Sequence, residues 1–216
     1  MKFFKNGFTL AEVLITLTII GVVAATTLPS LNSNVSNRAL ETQVKKLHNT
    51  LTNAVASYLT EQGAEGLEDI NSFDPDTFVT QYLKPISKCQ TPTAEGCMQS
   101  TYKYGTNNYT WTPYYNNCKA YILNDGNVVC FFTLTNGSNP YIQVYADTNG
   151  VKGPNKEGYD MFELVIRNDG SIDDYITGSS SKSSVLSRTQ ATSLSSCKSG
   201  GYCYGYLVRN GFKIDY

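Results

Sequence analysis

The N-terminal segment constrains this chain most, because it places one acidic residue ahead of a long apolar run. Lys2 and Lys5 precede Gly7, and the only charged residue from Phe8 to Leu31 is Glu12. As an α-helix, the uncharged run after Glu12 would be roughly 28 Å long, about the thickness of a bilayer core. The sequence therefore predicts a membrane-spanning helix near the N-terminus.

An ordinary secretory signal fits this segment poorly. Such a signal carries its small-residue cleavage site after the apolar stretch, whereas Gly7 precedes it. Glu12 would also lie inside the membrane, where a carboxylate costs about 2.5–3.5 kcal/mol on insertion scales and usually serves a function. The order of these features favours cleavage before the helix and retention of the helix in the mature chain.

The stretch GFTLAEVLITLTIIGVVAATTLP resembles the leader and N-terminal helix of type IV pilins and type II secretion pseudopilins. The matching positions are Gly7, Phe8, Glu12, Gly21 and Pro29. The resemblance implies that an inner-membrane prepilin peptidase cuts after Gly7 and methylates the amine of Phe8. It also implies three kinds of partner: copies of this chain, other pilins or pseudopilins, and the inner-membrane assembly machinery.

Physical chemistry suggests roles in assembly for the same positions. In lipid, the ammonium of Phe8 and the carboxylate of Glu12 each need a partner, so we expect Glu12 to set the register between neighbouring subunits. Gly21 allows close helix approach or local melting, or is simply a tolerated small residue. Pro29 lacks a backbone donor and is expected to kink or loosen the helix.

A second, amphipathic part of the helix is predicted to run from Asn37 to Leu59. Its apolar residues recur at three- and four-residue spacing, at Leu40, Val44, Leu47, Leu51, Val55, Tyr58 and Leu59. We expect this stripe to cover one face of a sheet and the helix to stop at Gly63 and Gly66. His48 lies off the stripe and is predicted to be a surface residue.

The remaining chain is predicted to be rich in β-strands and turns. Residues 67–118 look irregular, and their aromatic cluster reads as packing or as a sugar-binding platform, with members Tyr102, Tyr104, Tyr109, Trp111, Tyr114 and Tyr115. Strands are expected around an Asp125-Gly126 turn, at Tyr141–Ala146 and Met161–Arg167, and in a final hairpin, Tyr206–Val208 with Phe212–Tyr216. Residues 177–196 resemble a long Ser/Thr-rich loop.

Parts of this body resemble pseudopilin-like proteins more loosely. The stretches LNDGNVV and ADTNGVKGPNKEGYDMFELVI resemble their strand, turn and loop patterns, and Cys203 with the closing stretch Gly211–Tyr216 is similar to their last strand. The resemblance implies an α+β fold, in which a long N-terminal helix packs on an antiparallel sheet. The predicted divisions are a leader, a membrane-spanning polymerisation helix, an amphipathic helix and a β-rich head, at residues 1–7, 8–31, 32–62 and 63–216.

The six cysteines indicate disulfides in an oxidising compartment. Short loops favour the pairs Cys89–Cys97 and Cys197–Cys203, and Cys118–Cys130 follows by elimination among 15 possible pairings. That third pair is less secure, because the Asp125-Gly126 turn is expected to place Tyr121 opposite Cys130. Reduced buried thiols are the alternative.

Composition and motifs point away from catalysis and nucleic acid. The net charge is −1 and there is one histidine, so no basic surface for nucleic acid is predicted. The chain also lacks the Gly-x-Ser-x-Gly, P-loop and His-Glu-x-x-His motifs. We therefore predict that the protein is not an enzyme.

The loop of residues 147–160 is the one candidate for a metal site. Asp147, Asn149 and Asp160 offer oxygen ligands of the kind that calcium prefers, and major pseudopilins carry a calcium loop in a comparable place. The spacing is not that of an EF-hand. Alternatively, the segment is a polar turn whose acids are neutralised by Lys152 or Lys156.

Two functions share this anchor. The first is a structural subunit of a type IV pilus or a type II secretion pseudopilus. The second is a minor pilin or adhesin whose head binds a ligand. Either would be a single-pass inner-membrane protein with a periplasmic or extracellular head.

We predict that the mature chain begins at Phe8. The basic leader and the Phe8–Glu12 pattern motivate this prediction, and the intact mass of the protein recovered from membranes or filaments tests it. A mature chain that begins after Ala24 or Ala25 would identify an ordinary signal peptide and contradict the pilin interpretation.

Overall fold

The computed structural model describes residues 8–67, 73–104, 109–136, 139–167, 169–174, 197 and 203–216, with side chains omitted at 28–35 and 134–140. The chain divides into two compact units, one that ends at Ala39 and one that comprises Leu40–Tyr216. The second unit is called the head below.

A single helix, α1, spans Leu10–Gln62. It ends in a Schellman motif: Gly63 has φ +60°, the Ala64 N–H donates to the Leu59 carbonyl at 3.0 Å, and the Gly63 N–H donates to Thr60 at 3.2 Å. The predicted stop at Gly63 is confirmed. A left-handed residue is needed there, and glycine adopts that conformation without a steric penalty.

Two short helices and eight strands complete the described part of the head. Helix α2, Pro75–Phe78, continues as a π-helical turn, Val79–Leu83, and α3 is Cys203–Arg209. The strands are β1 Ser87–Lys88, β2 Tyr102–Tyr104, β3 Tyr109–Trp111, β4 Lys119–Ile122, β5 Val128–Asn136, β6 Asn139–Asp147, β7 Met161–Ile166 and β8 Ile172–Asp174.

Six of these strands form one antiparallel sheet in the order β1-β4-β5-β6-β7-β8, and β2 pairs with β3 in a separate hairpin. The predicted turn at Asp125-Gly126 connects β4 to β5, with Gly126 at φ +84°. The register places Ala120 opposite Cys130, one residue from the predicted Tyr121. The α+β architecture with an antiparallel sheet is thus confirmed.

The main core lies between the second part of α1 and one face of the sheet. Leu40, Val44, Leu47, Leu51 and Val55 are all buried, whereas Tyr58 and Leu59 are partly buried at its edge. They pack with alternate sheet residues, among them Val129, Phe131, Val144, Phe162 and Leu164. Each fully buried Leu or Val contributes about 1.5–3 kcal/mol, so the predicted stripe is confirmed as the principal hydrophobic contact.

The opposite face of the sheet is buried under a second core. Cys130, Phe132 and Tyr145 pack there against Tyr102 and Trp111 of the β2–β3 hairpin. Three disulfides form the pairs Cys89–Cys97, Cys118–Cys130 and Cys197–Cys203, the same pairs that the sequence favours. Residues 67–118 are therefore more regular than predicted, because a hairpin and two disulfides organise them over the sheet.

The predicted C-terminal hairpin is wrong. Cys203–Arg209 is helical, and residues 213–216 form no strand. The side chain of Asp174, which ends β8, accepts hydrogen bonds from the backbone N–H groups of Tyr204 at 3.1 Å and Gly205 at 2.6 Å. This cap satisfies two of the N–H groups that a helix start leaves without partners, and Leu207 is buried in the main core.

The prediction for His48 is also wrong. Its side chain is half-buried, its Nδ1 lies 2.7 Å from the Tyr204 hydroxyl, and its ring packs beside Phe212 at 5.3 Å between centroids. Burial lowers the pKa of His48. The histidine thus belongs to the contact between α1 and the C-terminal segment.

The predicted loop at 177–196 lies outside the described residues.

Candidate functional site

A reciprocal cap forms the start of α1. The Thr9 N–H and the Thr9 hydroxyl donate to Glu12 Oε2 at 2.8 and 2.9 Å, and the Glu12 N–H donates to Thr9 Oγ1 at 3.2 Å. This arrangement is a capping box, which Thr-x-x-Glu at a helix start predicts. The role predicted for Glu12, as a partner for another subunit, does not include this local cap, although the spacing of Thr9 and Glu12 in the sequence is a signal for it.

The segment after the cap is apolar and uncovered. Leu10–Thr27 has a mean hydropathy of 2.0 and none of it is buried within the chain, and it is the one stretch among the described residues that could span a membrane by length and composition. Core helices of soluble proteins and signal sequences can have the same length and composition. The exposure of this segment rules out a core helix. The segment is consistent with a single-pass anchor.

Threonines within this segment are compatible with lipid because their hydroxyls have partners in the same helix. Thr18 donates to the Leu14 carbonyl at 2.7 Å, and Thr26 and Thr27 donate to Val22 at 3.1 Å and Val23 at 2.9 Å. In hydrocarbon an unsatisfied hydroxyl is costly. These internal hydrogen bonds remove that cost without a partner chain.

The other predicted positions of the anchor occupy varied surroundings. Phe8 is 88 % exposed, and among the described residues no heavy atom beyond the adjacent turns of the helix backbone lies within 4 Å of the place where a Cβ on Gly21 would sit. The helix is continuous in backbone conformation through Pro29. Gly7 lies outside the described residues. Gly21 therefore leaves an open notch on the helix surface, which is compatible with close approach of another helix.

In the head, the structure brings the predicted metal ligands together. Strands β6 and β7 are neighbours, with Asp147 opposite Met161, and the Thr148 N–H donates to the Asp160 carbonyl at 2.7 Å. Asp147 and Asp160 are both fully buried. The loop that joins the two strands therefore starts and ends at a buried carboxylate.

Each carboxylate is held by neutral hydrogen-bond donors. Asp147 accepts from the Tyr102 hydroxyl at 2.8 Å and from the Asn149 N–H at 3.1 Å. Asp160 accepts from the backbone N–H groups of Asn155 at 2.7 Å and Lys156 at 2.6 Å. These bonds fix the two carboxylates in place but supply no positive charge.

Burial controls the electrostatics of this pair. It raises the pKa of Asp147 to about 8, and the charge of Asp160 adds to the rise. Burial also raises the pKa of Asp160, against the lowering effect of its backbone donors. Two adjacent buried carboxylates repel one another when both are ionised, so the pair favours either a proton or a cation.

Several oxygens around the pair have no hydrogen-bond partner. Thr148 Oγ1, Asn149 Oδ1 and Asn155 Oδ1 are buried and unsatisfied in the described part of the chain. Buried polar atoms without partners are rare, and each calls for an explanation such as a bound ion. Together with two carboxylates, these are the hard oxygen ligands that calcium takes. The described residues hold no group of three or more His, Cys, Asp or Glu side chains with metal-binding geometry.

The lysines of the loop are placed away from the two acids. Lys156 Nζ lies 4.6 Å from the centroid of the Tyr159 ring, and Lys152 is exposed. Backbone bonds instead hold the loop to β2, with the Lys103 N–H donating to Asn155 at 2.9 Å and the Glu157 N–H donating to Lys103 at 3.0 Å. The alternative in which a lysine neutralises the acids therefore receives no support from this geometry.

Comparison with known proteins identifies the N-terminal segment. The family model of the prokaryotic N-terminal methylation motif, the signature of pilins and pseudopilins, matches residues 3–28. This motif belongs to structural proteins of filaments and not to an enzyme family. No curated protein and no solved structure matched the chain. The match covers the capping box and the apolar span and does not extend to the head.

We predict that the metal-free head becomes less stable as the pH rises from about 4 to about 8. An Asp147 pKa of about 8 in the fold, against about 3.9 in an unfolded chain, means that only the unfolded state loses its proton in that window. One such group gives a slope of about 1.4 kcal/mol per pH unit. Burial also raises the pKa of Glu163 to about 8, which adds a slope of the same sign.

Denaturant unfolding at several pH values, in the presence of a chelator, measures this dependence. Asp147→Asn should reduce the slope by the contribution of one titrating group, about 1.4 kcal/mol per pH unit. The amide is close in shape to the carboxyl group and does not ionise. Glu95→Gln, at an exposed acid, is the matched control and should leave the slope unchanged. Equal slopes for the wild type and Asp147→Asn would contradict the assignment.

Proposed function

We propose that this chain, which carries the N-terminal methylation motif of pilins and pseudopilins at residues 3–28, is a subunit of a helical filament of the type IV pilus or type II secretion class. The motif match carries the proposal. The exposed apolar span Leu10–Thr27 supports it, because a segment of that kind needs either lipid or other apolar helices around it. In this proposal the span anchors the subunit in the inner membrane before assembly and lies in the filament core afterwards.

Processing by a prepilin peptidase would free the amine of Phe8. That residue is 88 % exposed and directly precedes the capping box, so the new ammonium would lie beside the positive end of the helix dipole. Methylation to a secondary amine keeps the charge. In lipid no water is available to solvate the ammonium. The ammonium therefore needs an anionic partner.

Glu12 is suited to provide that anion to a neighbouring subunit. Among the described contacts, both hydrogen bonds from Thr9 go to Oε2, so Oε1 remains available. A carboxylate can accept at both oxygens at once. We infer that Oε2 keeps the cap while Oε1 receives the ammonium of the neighbouring Phe8, which fixes the stagger between the two helices.

The head would be displayed on the periplasmic or extracellular side. Its three disulfides fit an oxidising compartment. We further propose that the loop of residues 147–160 binds one calcium ion through Asp147, Asp160 and Asn149. The buried carboxylate pair and the unsatisfied amide oxygens support this proposal, since an ion would offset the repulsion and use those oxygens.

Substitutions at Glu12 can separate the cap from the charge. Glutamine also completes a capping box, so Glu12→Gln should keep the helix start and lose only the ionic contact. We predict that Glu12→Gln and Glu12→Ala both lower filament yield at least about tenfold. Loss of one buried ionic contact weakens the association of subunits by at least about 1.4 kcal/mol, which corresponds to a tenfold change. Membrane levels of the subunit should stay normal. The yield in sheared surface or overexpressed filament preparations is the measurement.

Thr9→Ala is the matched control for the Glu12 variants. It removes the cap and retains the carboxylate, so assembly should fall much less than in Glu12→Gln. If Glu12→Gln assembles as well as the wild type, the role of Glu12 is capping and the registry proposal is wrong. Absence of the chain from all filament fractions, at normal membrane levels, would contradict the filament proposal itself.

Thermal melts test calcium binding. We predict that millimolar calcium raises the melting temperature of the head by mass action and flattens its pH dependence, because the ion displaces the proton of Asp147. Magnesium should act much less, since it prefers smaller octahedral sites. Asp147→Asn should abolish the calcium effect, and Glu95→Gln should preserve it. An unchanged melt with calcium would leave the loop as a polar connection.

A further inference from the structure

A cleft of about 350 Å³ opens in the head where the segment before β4 passes α2 and β5. Its base is formed by Phe132, which is 5 % exposed, and by the buried Pro75. Tyr114 forms its rim and is 67 % exposed. Asn116, Asn117, Thr133 and the charged Lys119 complete the lining with polar groups. The cleft thus combines one apolar side with carboxamides and a hydroxyl, and its volume is at the small end of ligand pockets.

The lining is held rigidly. Cys118, directly after the two asparagines, is bonded to Cys130 of β5, and its N–H donates to the Tyr115 carbonyl at 3.1 Å. Asn117 has a left-handed backbone with φ +61°. Asn116 Nδ2 donates to the Tyr114 hydroxyl at 2.8 Å, which orients the ring. A preformed site loses little conformational entropy when it binds a ligand.

Tyr114 differs from most of its aromatic neighbours. Tyr102, Trp111 and Tyr115 pack into the second core with the disulfides, so their burial explains their presence. Tyr114 leaves most of its ring open to solvent beside a cleft. An aromatic ring with two rotatable bonds offers a large contact area at low entropic cost, which suits a ligand that presents an apolar face to the ring.

Charge narrows the class of ligand. Lys119 Nζ lies 3.1 Å from Asp74 Oδ1 and 2.7 Å from Asp76 Oδ2, and Lys88 Nζ lies 2.5 Å from Asp76. Lys119 lines the cleft, and its ion-pair network of two lysines and two aspartates is formally neutral. An anion in the cleft would have to compete with Asp74 and Asp76 for Lys119, whereas a neutral ligand would leave the network intact.

We propose that this cleft binds a neutral hexose unit of a glycan. A pyranose ring has an apolar C–H face that can stack on Tyr114, and a hydroxyl edge that can exchange hydrogen bonds with Asn116, Asn117 and Thr133. Carboxamides suit hydroxyls because each offers both a donor and an acceptor. This binding role is separate from filament assembly and gives the head a function of its own.

Saturation-transfer NMR on the full chain tests the proposal. The chain is held in a zwitterionic detergent, which carries no sugar, and is titrated with the methyl glycosides of glucose, galactose, mannose, N-acetylglucosamine and N-acetylgalactosamine. At least one should receive saturation on its ring C–H protons. Tyr114→Ala should weaken its binding about tenfold, the upper range for loss of one aromatic contact.

Matched variants identify the site. Tyr109→Ala removes a tyrosine that is 74 % exposed on β3 and outside the cleft, and it should bind like the wild type. Tyr114→Phe keeps the ring and should retain most of the affinity. The proposal is overturned if no glycoside receives saturation, if Tyr109→Ala and Tyr114→Ala lose binding equally, or if inorganic phosphate displaces the bound sugar. None of these readouts depends on filament formation.

Discussion

Burial of one apolar stripe on α1 is the contact on which the head depends. The stripe residues Leu40, Val44, Leu47, Leu51 and Val55 are nearly inaccessible to solvent, and they pack with alternate residues of the antiparallel sheet. The same helix is apolar on all sides from Leu10 to Thr27, where none of it is covered by the chain. A one-sided stripe suits a protein core, and an all-round apolar surface suits lipid or a helix bundle. The change of pattern within one helix thus records a change of surroundings.

The elements that the sequence predicted well depend on local patterns. The three- and four-residue spacing before Leu59 and the glycine at Gly63 define the stripe and the end of α1, and Asp125-Gly126 defines a hairpin. The C-terminal helix was missed because its cap, Asp174, lies about thirty residues before Tyr204. Tyr206-Leu207-Val208 followed by Asn-Gly has the composition of a hairpin, and a tertiary contact overrides that local preference.

The candidate sites also combine features that follow from local sequence patterns with features that depend on tertiary contacts. The pilin-type motif could be recognised because it is contiguous, and the family model matches it at residues 3–28, a range that includes Gly7, Phe8, Glu12 and Gly21 and ends before Pro29. Proximity of Asp147 and Asp160 followed from the pairing of two neighbouring strands. Their burial and the unsatisfied oxygens around them could not be predicted, because they depend on Tyr102 and on contacts with β2. His48 was misplaced for a related reason: its neighbours Tyr204 and Phe212 come from the other end of the chain.

The capping box at Thr9 and Glu12 has a consequence for maturation. Its described hydrogen bonds join Thr9 and Glu12, and both residues remain in the chain after a cut that follows Gly7. The same cap would then serve the precursor and the mature subunit, and removal of the leader would add a new ammonium beside it. The helix start of a subunit waiting in the membrane would keep these hydrogen bonds once its leader is removed. Its competence to join a filament would change at the moment when the ammonium appears.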